Sequence, residues 1–309
     1  MRKVSTTIAA LVILLIIVSG VVLHFRSQPD ESSSGTDAAP GVVQPEWCPA
    51  VQVLAAPGTW ESAADDDPYN PQANPNSFML SITRPLQQAY PGGEVEVWTL
   101  PYPAEFRNVN GGMEQLGYDD SRDQGINRTF AELNTKHSLC PLTRFVLTGF
   151  SQGAVIMGDI ASEIGNGRTN IAPDAIMGVA LVSDGRRQPG EGITPDGAIE
   201  LPGVGAEIAL HPLNALVRAV VPGATMRGIR AGGFGSLNDS TVQICAPNDT
   251  ICDAPPSVTD ALARVDALLD ANGVHAMYAS NPAVIPGTTT DQWVVQWAQN
   301  LIAEQLASQ

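Results

Sequence analysis

The pentapeptide Gly149-Phe150-Ser151-Gln152-Gly153 constrains this chain more than any other feature. The bare pattern is weak, because 29 of the 309 residues are Gly. Its setting gives it weight. Phe145-Val146-Leu147-Thr148 reads as a short buried strand that ends just before Gly149, and Ala154 to Ile164 has helical spacing. So sharp a strand-to-helix turn crowds the backbone. Small residues two before and two after the serine let the chain pass closely, and the hydroxyl then stands at the end of the sheet. A hydroxyl is a poor nucleophile at neutral pH. It needs a base to take its proton and donors to hold the oxyanion that forms.

Elsewhere short apolar runs alternate with helical patterns. Val51 to Ala55, Glu94 to Leu100, Phe145 to Thr148, Ala175 to Val182 and Thr241 to Ile244 read as strands. Helical patterns cover Ser77 to Tyr90, Asp119 to Lys136, Ala154 to Ile164, Val258 to Leu269 and Asp291 to Ala307. Pro85 is expected to kink or shorten the first of these. The alternation predicts an α/β chain in three layers, with a mostly parallel five-stranded sheet covered on both faces. Almost sixty residues separate the last two strands. Gly185 to Gly205 is Gly- and Pro-rich, while Ala206 to Val221 is apolar with helical spacing. This insertion, about 185–235, reads either as a helix packed on the same core or as a lid or apolar ledge beside the site.

Position selects the partners of Ser151. The base should follow the serine in the chain, with a carboxylate between them. Of four histidines, His24 and His137 precede Ser151 and His211 lies ahead of the last strand. His275 follows that strand and is the candidate base. Asp249 follows strand 241–244, where open parallel sheets place their sites. Asp253 is its near competitor and Asp239 a distant one. The oxyanion donors are expected at the Gln152 amide and at Thr59, in the turn Ala56-Pro57-Gly58-Thr59-Trp60-Glu61 after the first strand.

The four cysteines are Cys48, Cys140, Cys245 and Cys252. An even number in an exported chain suggests disulfides, and four cysteines allow three pairings. Cys245 and Cys252 could easily close a short loop around Asp249, which leaves Cys48 with Cys140. No CxxC and no nearby His supports a metal site instead. Asp65-Asp66-Asp67-Pro68 lacks the ligand spacing of a calcium loop and reads as a solvated turn.

Export itself is read from the N-terminus. Val4 to Phe25 is an uncharged, mostly apolar run long enough to cross a bilayer once. Arg2 and Lys3 precede it and an acidic Ser-rich segment follows, which puts the bulk of the chain outside the cytoplasm. Residues 1–27 are expected to be a plasma-membrane anchor. Cleavage as a signal segment would instead release the protein to the cell wall. Residues 28–45 read as a flexible spacer and 46–309 as the folded domain. Beyond residue 27 the chain carries 13 basic against 32 acidic residues, a formal charge of −19. Such a surface repels phosphate backbones, so a nucleic-acid partner is not expected.

Over residues 46–309 the chain resembles the cutinase family of α/β-hydrolases. Within it, the chain resembles the membrane-anchored cutinase-like proteins of mycolic-acid-containing actinobacteria. The resemblance rests on Cys48-Pro49, Ala56-Pro57-Gly58-Thr59-Trp60-Glu61-Ser62, Cys140-Pro141, Gly149 to Ala154, Cys245-x-x-x-Asp249-x-x-Cys252 and His275. It implies a triad of Ser151, Asp249 and His275, oxyanion residues Thr59 and Gln152, and disulfides Cys48–Cys140 and Cys245–Cys252. It implies hydrolysis of carboxylic esters of fatty acids, with lipase, phospholipase or thioesterase character, and no metal or organic cofactor. The compact fungal members lack the membrane segment, the insertion and the long stretch between Cys252 and His275. These departures point from cutin toward lipid esters with long acyl chains. Two other readings share the scaffold: an acyltransferase of envelope lipids using the same triad, and a non-catalytic envelope lipid-binding protein. Oligomeric state is not legible in the sequence.

Overall fold

The computed structural model describes residues 44–108, 112–256 and 273–308. The expected anchor, most of the spacer and the helix at 258–269 lie outside the described residues. Among those described, no helix is long and apolar enough to cross a membrane.

Five strands form the sheet: β1 (Val51–Ala56), β2 (Val95–Thr99), β3 (Arg144–Phe150), β4 (Ile176–Val182) and β5 (Thr241–Ile244). They lie in the order β2-β1-β3-β4-β5, and every pairing is parallel. The expected mostly parallel sheet is wholly parallel among the described residues. Strand side chains alternate between faces, yet both faces are apolar. Val51, Val53 and Ala55 of β1 enter one core, while Leu54 and Ala56 enter the other. On the first face lie α1 (Leu80–Ala89) and α6 (Thr290–Ala307), through Ile82, Leu86, Val294, Ala298 and Ile302. On the second lie α2 (Tyr118–Leu139) and α3 (Gln152–Gly165), through Leu133, Ile156, Ile160 and Ile164.

The chain leaves β1 toward one edge of the sheet and β3 toward the other. The C-terminal ends of β1 and β3 therefore flank the crevice where doubly wound sheets place ligands. Two disulfides brace the frame. Cys48–Cys140 spans 92 residues and ties the approach to β1 to the approach to β3. Cys245–Cys252 closes the loop after β5.

Two local points differ in detail from the sequence reading. Helix α1 continues through Pro85, over Leu80–Ala89 rather than 77–90. The proline is exposed, so the backbone bond it removes is lost on the side that water reaches. The apolar stretch 206–221 is not one helix. It forms α4 (Ala206–Ala209), a 3₁₀ turn His211–Leu213 and α5 (Asn214–Val220). Pro212 has no N–H for the carbonyl of Ile208 and its ring would clash there, so the helix breaks at the turn. Val217 and Val221 then pack with Tyr118, Leu210, Ala224 and Met226 in a satellite cluster, not on the main core.

Candidate active site

Ser151 sits between β3 and α3 with φ 53° and ψ −117°. This positive-φ backbone is strained for a residue with a Cβ. Its N–H donates to the Val182 carbonyl of β4 at 2.9 Å, which fixes the turn against the sheet. The flanking glycines are sterically required. A Cβ on Gly149 would lie 2.3 Å from the Gly153 carbonyl oxygen, and one on Gly153 would lie 2.0 Å from that of Ala56.

His275 opens a short 3₁₀ turn, and its ring stacks on Phe150 with centroids 5.0 Å apart. Its Nε2 lies 3.0 Å from Ser151 Oγ, and its Nδ1 lies 3.0 Å from Asp249 Oδ2. The structure thus brings together the three side chains that the sequence separates by up to 124 positions. Asp253 and Asp239 do not join them. The Asp253 carboxylate accepts from the Gly203 and Asn248 amides and braces the loop, and Asp239 accepts from Asn238.

Asp249 is fully buried in the disulfide-closed loop. Burial pushes its carboxyl up, but hydrogen bonds from His275, Ser183 and Tyr278 together outweigh it and hold the group below the usual carboxylate range. Ser183 Oγ donates to Oδ2 at 2.6 Å, Tyr278 OH donates to the same oxygen at 2.7 Å, and the Ile251 amide donates to Oδ1 at 3.0 Å. An ionised Asp249 needs a proton on His275 Nδ1, which leaves Nε2 to accept from Ser151. Tyr278 OH also accepts from the Ala246 amide, so one phenol ties the end of β5 to the carboxylate.

Thr59 and Gln152 both line the cleft beside Ser151. Gln152 is the first residue of α3, where amides have no acceptor inside the helix. Among the described residues neither the Thr59 nor the Gln152 amide meets a protein acceptor. The Thr59 turn is shaped by Glu61, whose carboxylate accepts from the Gly58 amide, the Phe78 amide and Ser77 Oγ at 2.7–3.0 Å. Burial raises the Glu61 carboxyl above its ordinary value, against the lowering effect of these bonds. Of the acidic run, Asp66 accepts the Gln72 and Ala73 amides and Asp67 the Tyr69 and Asn70 amides, which is a turn-capping role.

The cleft above Ser151 has a volume of about 470 Å³, within the range of small-molecule sites. Trp60, Phe78, Phe106, Phe150, Val155, Ile251 and Met226 give it mostly apolar walls. The insertion supplies Gly185, Ala206, Glu207 and Met226, so it forms a ledge of the site. It is anchored from below. Arg230 donates to Asp159 at 2.8 Å and to Asp184 at 2.6 and 3.0 Å, and Arg186 donates to Asp159 at 2.7 Å. Glu207 accepts from Tyr118 OH at 2.8 Å and pairs with Arg122 at 3.2 Å.

Sequence reading missed Ser183, Tyr278, Glu61 and Glu207. Ser183 directly follows an apolar strand and Tyr278 lies one helical turn after His275. Those positions were visible, but nothing local said which carboxylate they meet.

Residues 47–281 match the family model for Cutinase. The chain belongs to the cutinase family. It is similar to the carboxylesterase Culp6 homolog of Corynebacterium glutamicum, at 56% identity over 98% of this chain and 99% of the relative. It is also similar to acetylxylan esterase 2 of Talaromyces purpureogenus, at 34% identity over 43% of this chain and 51% of that protein. Among solved structures, an acetylxylan esterase at 0.90 Å resolution aligns with a TM-score of 0.50 and 18% identity, over 82% of this chain and 99% of that one. That likeness supports the fold. This cutinase-family chain is a carboxylic ester hydrolase.

Proposed function

We propose that this cutinase-family protein is an extracytoplasmic serine esterase acting on lipid esters with long acyl chains. Ser151 attacks the acyl carbonyl while His275 Nε2 takes its proton, and Asp249 holds the imidazole and stabilises its protonated form. The Thr59 and Gln152 amides receive the oxyanion. His275 then returns the proton to the departing alcohol, leaving the acyl group on Ser151. A water molecule, deprotonated by the same imidazole, releases the fatty acid.

The observation that carries the reading is the unbroken chain Ser151 Oγ–His275 Nε2 and His275 Nδ1–Asp249, each link 3.0 Å, beneath a cleft with mostly apolar walls. Two disulfides favour an oxidising compartment. The apolar run at residues 4–25 favours attachment to the outer face of the plasma membrane.

The test is free-acid release from phospholipid vesicles and from p-nitrophenyl esters of graded length, by wild type and Ser151→Ala. Wild type is expected to release acid, and Ser151→Ala to fall to background. Hydrolysis by folded Ser151→Ala would sink the assignment. Acyl transfer to an added alcohol in place of free acid would convert the enzyme to a transferase.

A further inference from the structure

Ser183 is the first residue after β4 and is fully buried. Its φ is +56°, in the left-handed region that favours glycine. Glycine would adopt this backbone without strain, yet the chain carries a hydroxymethyl group here. That side chain is not idle. Its Oγ lies 2.6 Å from Asp249 Oδ2 and 3.1 Å from His275 Nδ1, so it touches both members of the pair that faces Ser151. The backbone fixes it there: the Ser183 amide donates to the Ile244 carbonyl at 2.8 Å, which locks the end of β4 to the end of β5 just before the Asp249 loop.

We propose that Ser183 is a positioning residue, whose hydroxyl holds the Asp249 carboxylate in line with His275 and shares its negative charge. The inference rests on the Ser151–His275–Asp249 reading above. The hydroxyl has one proton, and the shorter contact gives it to Asp249 Oδ2. That oxygen then receives Ser183, Tyr278 and the imidazole together. Each added donor weakens the pull of the carboxylate on the imidazole proton. The other charged groups near the loop are otherwise engaged. Arg187 donates to the carbonyls of Cys252, Gly203 and Leu201. Asp253 accepts the Gly203 and Asn248 amides, Asp184 is paired with Arg230, and Glu207 with Arg122. Removing the hydroxyl strengthens the hold of Asp249 on the protonated imidazole. The base then needs a higher pH to act.

The test uses Ser183→Gly and Ser183→Ala. Both delete the hydroxyl, but only glycine also relieves the backbone. Thermal midpoints, kcat and KM across pH, and the rate of fluorophosphonate labelling are measured beside wild type and Ser151→Ala. Ser183→Gly is expected to stay folded with a midpoint at or near wild type. Its kcat should fall roughly tenfold with little change in KM, and the acid limb of kcat/KM should rise by about half a pH unit. Ser183→Ala should show the same limb shift with a lower midpoint. Wild-type rate and limb in Ser183→Gly would overturn the inference. So would a loss of rate that follows a lowered midpoint while the limb stays put. Labelling of Ser151→Ala would instead overturn the underlying triad.

Discussion

Asp249 and Asp159 are two buried carboxylates held in opposite ways. Both are kept below the ordinary carboxylate range although burial pushes each up. Around Asp159 the opposing force is permanent positive charge from Arg230, Arg186 and Arg227. Around Asp249 it is hydrogen bonds from His275, Ser183 and Tyr278, of which His275 alone carries a charge that can come and go. A carboxylate saturated by arginines is an inert rivet: it ties the insertion to α3 and does not titrate near neutrality. A carboxylate held by two hydroxyls and one imidazole instead reaches Ser151 through that imidazole. The difference separates scaffold from chemistry more cleanly than burial does, since both groups are out of water.

The comparison breaks most sharply if each carboxylate is disabled in turn. Asp249→Asn keeps the shape of the loop but removes the charge that sets the imidazole tautomer. A drop in kcat of about 10⁴ is expected with the protein still folded, by analogy with the corresponding change in a serine protease triad. Steady-state kinetics with a circular-dichroism melt would check it. A loss below about tenfold would place the orienting acid elsewhere.

Arg230→Met tests the other side. It strips Asp184 of its bidentate partner and Asp159 of one of three cations, and Arg230 and both carboxylates are buried. Breaking a buried pair from one side costs about 3–5 kcal/mol, so stability should fall by that order while kcat of the folded fraction changes little. Denaturant melts resolve the two quantities. The pH sign follows from the depressed carboxyls. Asp159 and Asp249 contribute stability that is present above the unfolded value near 4 and lost as pH falls through their lower folded values. Wild type should therefore lose stability on acidification below about pH 4, and Arg230→Met should lose less over the same interval. Equal acid sensitivity would show that the arginine cluster does not hold Asp159 down.

Much of this is legible in the sequence. The five strands could be read because each is a short apolar run bounded by turn residues. Ser151, Asp249 and His275 could be proposed because the chain has few histidines and one short Cys-closed loop after its last strand. What escaped is non-local. Asp159, Asp184, Arg186, Arg227 and Arg230 span about seventy positions in no periodic pattern, and only the fold makes them neighbours. Ser183 looked like any residue leaving a strand until β5 brought the Asp249 loop beside it. The helix expected over 206–221 is broken for a local reason: Pro212 overrides the apolar spacing. The apolar run at residues 4–25 lies outside the described residues.

The smallest expected effect lies on the ledge itself. Deleting residues 206–221 would remove Glu207 and leave Arg122 buried without that partner, so it would confound specificity with stability. Met226 is a cleaner probe. It is buried, lines the cleft beside Ala206 and Glu207, and engages the scaffold through its backbone, with its amide donating to Asn214 and its carbonyl accepting from it. Met226→Ala should widen the insertion side of the cleft, and Met226→Phe should narrow it. If long acyl chains lie along this wall, the ratio of kcat/KM for long to short p-nitrophenyl esters should rise in the first and fall in the second. A single methylene gained or lost against an apolar wall corresponds to roughly tenfold in each direction. An unchanged ratio in both folded variants would move the acyl chain to other lining residues such as Trp60 and Phe78, and reduce the ledge to a part of the scaffold that Arg230 and Asp159 secure.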